Sequence, residues 1–173
     1  MNHDIDFSTL SLRDTLDLAI AIEVEAQERY EEFAEQLEAH HSPEVAKFFR
    51  FMSENEVKHA EVLTMRRTEL FADEPNTADA SKLYDIEAPD YDGARAFMTI
   101  QEALEVALNA EVKAYDFYHQ ALPSVKDADV NALFVRLRDE EVQHQKMIKE
   151  IIAKVPEGDG FDPEDFEDEP TAQ

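Results

Sequence analysis

The chain of 173 residues contains no cysteine and no tryptophan. Without cysteine it can form no disulfide, no thiolate metal site, no iron–sulfur cluster and no cysteine nucleophile. Histidine and carboxylate side chains are therefore the ligands available for a metal ion, and this donor set favours hard or borderline metals.

Basic residues are also scarce, since 16 Lys and Arg stand against 41 Asp and Glu and give a formal charge of −25. Nucleic acids and acidic lipids require Lys and Arg to neutralise them, so neither is an expected partner. No stretch approaches the ~20 apolar residues that span a bilayer. The polar segment 1–12 lacks the basic and apolar regions of a secretory signal. We expect a cytoplasmic protein that binds no nucleic acid and no membrane.

Glycine and proline are few, with three Gly and seven Pro, and the prolines leave four long stretches in which helices can run. Apolar residues recur at spacings of three and four along these stretches, which is typical of amphipathic helices. Ser42 before Pro43 predicts an N-cap for the second helix, and Ser124 or Asp127 for the fourth. The predicted helices cover about residues 11–39, 43–71, 94–122 and 127–154.

The connections between these helices predict the topology. A few residues join the first helix to the second and the third to the fourth, whereas more than twenty separate the second from the third. We expect an all-α domain over residues 1–156, an antiparallel four-helix bundle with one long crossover. Residues 157–173 carry eight acidic residues and no Lys or Arg, so we expect a loosely ordered tail.

The most informative pattern is a repeat of glutamate and histidine in the two halves of the chain. Each half carries a lone Glu on its first helix and Glu-x-x-His on its second. An offset of 88 aligns the first helices and an offset of 85 the second, and the apolar positions repeat with the polar ones. The six polar residues are Glu23, Glu56, His59, Glu111, Glu141 and His144.

This repeat predicts a dinuclear metal site on physical grounds. Residues three apart lie on one helix face, so each Glu-x-x-His can address a single point. Glu23 and Glu111 lie within apolar patterns and should point into the bundle. Two carboxylates about 4 Å apart repel by about 4 kcal/mol at an effective dielectric near 20, whereas two divalent cations balance four carboxylates and leave both imidazoles neutral.

A lone Glu and a Glu-x-x-His in each half, on four helices, resemble the ligand pattern of the ferritin-like di-iron carboxylate proteins. Within that superfamily, residues 12–152 look like the erythrin domain of rubrerythrins, and the ligand set is also similar to that of bacterioferritin. The resemblance implies a ferritin-like bundle holding two iron ions, with Glu23 and Glu111 as terminal ligands and Glu56 and Glu141 as bridges. His59 and His144 would each bind one ion.

Two departures from rubrerythrins stand out. Their erythrin domain has a further glutamate three residues after the third-helix ligand, where this chain has Ala114, and the equivalent position in the first helix is Ala26. A symmetric six-ligand centre is therefore expected. The cysteine-rich rubredoxin module of rubrerythrins is also missing, so electrons must come from an external carrier of rubredoxin type or from Fe²⁺ itself.

The resemblance implies a di-iron oxidoreductase that couples Fe²⁺ oxidation to reduction of hydrogen peroxide or dioxygen. Three alternatives stay open: an iron storage or carrier protein of ferritin type, a di-iron hydroxylase, and occupancy by manganese or mixed metals. Two-fold assemblies are common, so a homodimer is the expected state.

Two further features of the sequence lie outside the six predicted ligands. Tyr30 and Tyr118 follow their lone glutamates by seven residues and either donate hydrogen bonds near the metals or belong to the ordinary core. Glu38 and His41 form a further Glu-x-x-His that lacks a counterpart in the third helix, and we interpret it as a chance match.

Overall fold

Four long α-helices dominate the structure, a computed structural model that describes residues 6–40, 42–72, 74–76, 86–90, 93–95 and 98–154. No strand occurs among these residues, so the predicted all-α fold is confirmed. The predicted acidic tail, 157–173, lies outside them. The elements are α1 (Leu12–Ala39), α2 (Pro43–Phe71), α3 (Ile100–Ala121), a turn of 3₁₀ helix (Leu122–Ser124) and α4 (Ala128–Lys154).

The helices pair as two hairpins. α1 packs along α2, and α3 packs along α4, as antiparallel neighbours joined by short connections. Residues 72–99, here called the crossover, lead from the end of α2 to the start of α3. This is the connectivity of a ferritin-like four-helix bundle with one long crossover.

Capping side chains set where α1 and α4 begin. The Ser11 hydroxyl accepts from the backbone N–H of Asp14, and the Asp14 carboxylate accepts from the backbone N–H of Ser11. Before α4, Asp127 Oδ1 accepts from the backbone N–H groups of Asp129 and Val130, at 2.9 and 3.0 Å. These bonds satisfy N–H groups that have no partner within the helix.

Two predictions about helix starts need correction. The third helix begins at Ile100 instead of 94, because Thr99 and Glu102 form a reciprocal capping box immediately before it. Ala94, which the sequence pattern assigned to that helix, is buried as part of the crossover. Ser42 occupies the N-cap position of α2, but its side chain makes no capping hydrogen bond. Pro43 begins that helix with the backbone angle that its ring imposes.

Two hydrophobic clusters fill the bundle, one towards each end. The first cluster, around Phe33, Phe48 and Phe49, includes the later part of α1 and the early part of α2. The second, around Leu16 and Phe134, includes the early part of α1 and the early part of α4. Along every helix, the residues between the clusters include the predicted glutamates and histidines. The candidate site therefore lies in the middle of the bundle, with an apolar layer on either side.

A buried ion pair fixes the beginning of the crossover. Arg67 Nε of α2 donates to Asp17 Oδ1 of α1 at 2.8 Å, and the same guanidinium donates to the carbonyl oxygens of Ala72 and Glu74 at 2.9 and 2.6 Å. Ala72 has a positive φ of 48°, which residues other than glycine rarely adopt, and it turns the chain out of the helix. Arg67 thus joins both helices of the first hairpin to the segment that leaves them.

The later part of the crossover lies close against the bundle. Gly93 donates its N–H to the Asp90 carbonyl at 2.8 Å, and a Cβ at position 93 would lie 2.9 Å from that oxygen and 3.2 Å from a methyl of Val106. Only glycine fits this turn without displacement.

None of the described helices has the length and apolar character required to cross a bilayer.

Candidate metal centre

All four helices contribute buried polar side chains to the level between the two hydrophobic clusters. The four carboxylates are at most 3 % exposed, and the two imidazoles 7 % and 5 %. Charged groups with so little contact with water require partners. The six are Glu23 of α1, Glu56 and His59 of α2, Glu111 of α3, and Glu141 and His144 of α4.

The first hairpin forms one triad from Glu23, Glu56 and His59. His59 Nδ1 lies 3.2 Å from Glu56 Oε2 and 3.7 Å from Glu23 Oε2. One potential ligand atom from each residue lies within 4.8 Å of the others. Two oxygens and one nitrogen therefore converge on one point, which is a donor set suitable for a metal ion.

The second hairpin repeats the arrangement with Glu111, Glu141 and His144. His144 Nδ1 lies 3.1 Å from Glu111 Oε2 and 3.3 Å from Glu141 Oε2, and these residues also offer ligand atoms within 4.8 Å of one another. The structure thus brings the six predicted residues together as two matching triads, one from each half of the sequence repeat.

Unpaired oxygen atoms indicate that the site fits cations. Glu23 Oε2 and Glu111 Oε1 are buried and have no hydrogen-bond partner among the described residues. Glu141 Oε2 lies near His144 but without the geometry of a hydrogen bond. A buried unpaired carboxylate oxygen is costly, and a bound cation would satisfy it. The oxygen and nitrogen donors suit iron or manganese.

Burial and neighbouring charges also shift the pKa values of the residues in this site. Burial raises the pKa of Glu56 to about 7, although His59 opposes the change. Burial also raises the pKa of Glu141 well above its ordinary value. Burial alone would lower the pKa of His144, but Glu141 and Glu111 outweigh it and raise that pKa well above the usual range of imidazole. Without metal, the site therefore retains protons that cations would replace.

A fifth carboxylate, Glu87, lies in the crossover and reaches the level of the bundle that holds the two triads. The sequence did not predict it. Its side chain is 1 % exposed, and Glu56, Glu87 and Glu111 offer oxygens within 4.8 Å of one another. Helix periodicity could not identify it because Glu87 lies on no helix. Its position between Ile86 and Ala88 is the only local signal, and one acid between apolar residues predicts little.

The two tyrosines lie in equivalent places on opposite sides of the site. Tyr30 belongs to the first hydrophobic cluster and Tyr118 to the second, and both are fully buried. Neither hydroxyl has a hydrogen-bond partner among the described residues. Burial, together with the charge of neighbouring glutamates, raises both pKa values well above the ordinary value, so both phenols stay protonated.

The further Glu-x-x-His is separate from this site. Glu38 is exposed and forms an ion pair with Arg50 at 2.6 Å, on the outside of the first hairpin. His41 lies outside the described residues. The structure places Glu38 on the surface, in line with the interpretation of that motif as a chance match.

Comparison with known proteins places the chain in a family. The family model described as Rubrerythrin matches residues 14–155, which include α2, α3, α4 and all but the first two residues of α1. The chain belongs to the rubrerythrin family. Its predicted resemblance to the erythrin domain is therefore confirmed, and the buried carboxylate and histidine groups are compatible with the di-iron site of a rubrerythrin.

A solved structure agrees with this membership. The crystal structure of an uncharacterized conserved protein from Magnetospirillum magnetotacticum MS-1 is 29 % identical to the chain, with a TM-score of 0.65. The match covers 87 % of this chain and 99 % of that one. No curated protein matches the chain. The relative supports the fold of this rubrerythrin-family chain.

Proposed function

We propose that this rubrerythrin-family protein is a di-iron oxidoreductase that couples oxidation of Fe²⁺ to reduction of hydrogen peroxide or dioxygen. The observation that carries the proposal is the pair of matching buried triads, Glu23–Glu56–His59 and Glu111–Glu141–His144, each with convergent oxygen and nitrogen donors. Four carboxylates would balance two divalent cations, and six protein donors would hold them as neighbours.

Held by these residues, a pair of iron ions would supply two electrons, enough with two protons from solvent to reduce H₂O₂ to two molecules of water or O₂ to H₂O₂. An external carrier of rubredoxin type, or further Fe²⁺, would restore the reduced state, since the chain has no cysteine for a thiolate-bound redox centre.

The protein's own residues provide the environment for this reaction. The hydrophobic clusters on either side keep bulk water from the carboxylates, which strengthens their attraction for cations. The buried phenols of Tyr30 and Tyr118 border the site without ionising. The net charge of −25 attracts Fe²⁺ to the molecule as a whole.

Stopped-flow mixing of the anaerobic, Fe²⁺-loaded protein with H₂O₂ and with O₂ tests the proposal. We expect at least one oxidant to oxidise the bound iron faster than it oxidises free Fe²⁺ under the same conditions. Glu56→Ala should remove this acceleration, whereas Glu38→Ala, which changes an exposed Glu-x-x-His, should retain it. Oxidation no faster than that of free Fe²⁺ by either oxidant would refute the activity.

A further inference from the structure

Glu87 is a buried acid that the six-ligand pattern leaves unexplained. Both of its carboxylate oxygens are buried, and neither has a hydrogen-bond partner among the described residues. An ionised carboxylate so placed is strongly destabilising unless something compensates its charge. Its neighbours within 4.8 Å are the oxygens of Glu56 and Glu111, which would repel it further. Such a group either keeps its proton or shares a cation with these carboxylates.

The crossover holds Glu87 in this position through contacts on either side of it. Arg29 of α1 donates to the Pro89 carbonyl at 2.6 Å, and Lys113 of α3 donates to the Ala88 carbonyl at 2.8 Å. Ile86, the residue before Glu87, is buried in the second hydrophobic cluster. Helices from both hairpins therefore fix the backbone around Glu87, and its position at the level of the triads is built into the fold.

We propose that Glu87 is a seventh protein ligand of the dinuclear centre and binds the metal of the Glu111–Glu141–His144 triad. This inference rests on the proposed metal centre. Among the described residues, the cluster that contains Glu87 includes Glu111 of that triad and Glu56, which the family resemblance makes a bridge to both ions. Among the described residues, no group of three ligand atoms within 4.8 Å of one another includes both Glu87 and Glu23, although the charge of Glu23 also acts on the Glu87 carboxyl. The crossover thus makes the two halves of the repeat unequal.

A fifth carboxylate changes the charge balance of the centre. Four carboxylates neutralise two divalent ions, whereas five leave the centre with a charge of −1 with two divalent ions and +1 with two trivalent ions. Negative charge in a buried site favours the higher oxidation state. Glu87 should therefore stabilise oxidised iron, and Glu87→Gln should move the reduction potential of the iron pair to a more positive value.

Metal titration tests the ligand without reference to activity. The metal-free full-length protein is titrated anaerobically with Co²⁺, and binding is followed by the visible spectrum of the ion. We expect two sites in the wild type. In Glu87→Gln the Co²⁺ affinity of one site should fall by at least about tenfold, because even the loss of a side chain that only supports a metal ligand typically costs that much. The other site should keep its affinity. Glu105→Gln, which removes one exposed charge from α3, should leave both sites unchanged.

Mössbauer spectra of the ⁵⁷Fe²⁺-loaded proteins provide a second readout. The wild type should give two distinct iron environments, and Glu87→Gln should make them more alike. Equal Co²⁺ affinities in wild type and Glu87→Gln would overturn the role of Glu87 while leaving the metal centre intact. Equal weakening of both sites would overturn its assignment to one triad. A wild type that binds no pair of ions would instead refute the proposed function itself.

Discussion

The imidazole rings of His59 and His144 lie parallel, with their centroids 4.6 Å apart and only 1° between their planes. The two rings come from different hairpins, and each presents Nδ1 to a glutamate of its own triad. This pairing reproduces in space the repeat that relates the two halves of the sequence. Each half supplies one nitrogen donor, and both donors belong to the same buried level.

Replacing one glutamate by its neutral isostere should separate metal binding from folding. Glu56→Gln should lower the affinity for Fe²⁺ or Zn²⁺ at least tenfold, because it removes a ligand charge from a site where carboxylates are buried together. The metal-free variant should be as stable as the wild type or more stable, since one of the crowded acids has gone. Metal analysis and urea unfolding of both proteins measure the two effects.

Glu38→Gln is the matched control for this change. Glu38 also begins a Glu-x-x-His, but it is exposed and pairs with Arg50 on the surface. Its replacement should leave metal content unchanged and cost less than about 1 kcal/mol of stability. Full metal binding by Glu56→Gln, or a large loss in Glu38→Gln, would mean that the wrong motif had been assigned to the site.

The metal-free protein should become less stable as pH rises. Burial raises the pKa of Glu56 from 4.5 to about 7 in the folded protein, so the folded state holds this proton more tightly than the unfolded state. The corresponding stabilisation is fully present below pH 4.5 and is lost as pH rises through about 7. The raised pKa values of Glu141 and His144 act in the same direction and extend the loss to higher pH.

Urea unfolding of EDTA-treated protein at pH 5, 6, 7 and 8 measures this dependence. Glu56 alone should contribute about 2–3 kcal/mol over this range, and Glu56→Gln should show a correspondingly shallower decrease. Metal ions compete with these protons, so stabilisation by added Zn²⁺ should increase over the same pH range. Parallel pH profiles for the wild type and Glu56→Gln would contradict the pKa assigned to Glu56.

Helical periodicity accounts for what the sequence could predict about the site. Glu23 and Glu111 lie on the same helix faces as the apolar residues around them. The direction of each side chain can therefore be predicted from its place in the 3.6-residue repeat. Glu87 follows no such rule, because the direction of a side chain in the crossover depends on contacts made far along the chain. Arg29 and Lys113, which fix that segment, lie about 60 and 25 residues away from their partners.

The predicted start of α3 at residue 94 is wrong for a related reason. Ala94 and Met98 are buried, and apolar residues at such a spacing resemble the beginning of a helix. Their burial comes from the packing of an irregular segment on the bundle. The capping box of Thr99 and Glu102 was the better local signal, since it satisfies the N–H groups at the first turn.

The two buried tyrosines can be tested by removing their hydroxyls. Tyr30→Phe and Tyr118→Phe each delete a buried polar group that has no hydrogen-bond partner among the described residues. The metal-free variants should therefore be as stable as the wild type, or more stable by about 1 kcal/mol. Urea unfolding checks this expectation, and a loss above 1 kcal/mol would reveal a hydrogen bond that these hydroxyls make in solution.

Metal affinity then distinguishes the two interpretations of these tyrosines. A phenol that donates to a ligand carboxylate should weaken metal binding when it is lost, typically by 10-fold or more. A phenol that serves only as core should leave the affinity unchanged. Tyr30 and Tyr118 occupy equivalent places in the two hydrophobic clusters, so the two variants should behave alike if the repeat extends to their function.

The Asp17–Arg67 pair should matter for folding and not for metal binding. Asp17→Asn leaves the Arg67 guanidinium buried without its carboxylate and loosens the contact between α1, α2 and the start of the crossover. Breaking a buried pair in this way costs about 3–5 kcal/mol, whereas Glu38→Gln breaks an exposed pair and should cost less than about 1 kcal/mol. Urea unfolding compares the two variants, and Zn²⁺ titration should give wild-type stoichiometry for both. Equal costs would mean that burial adds nothing to the Asp17–Arg67 interaction.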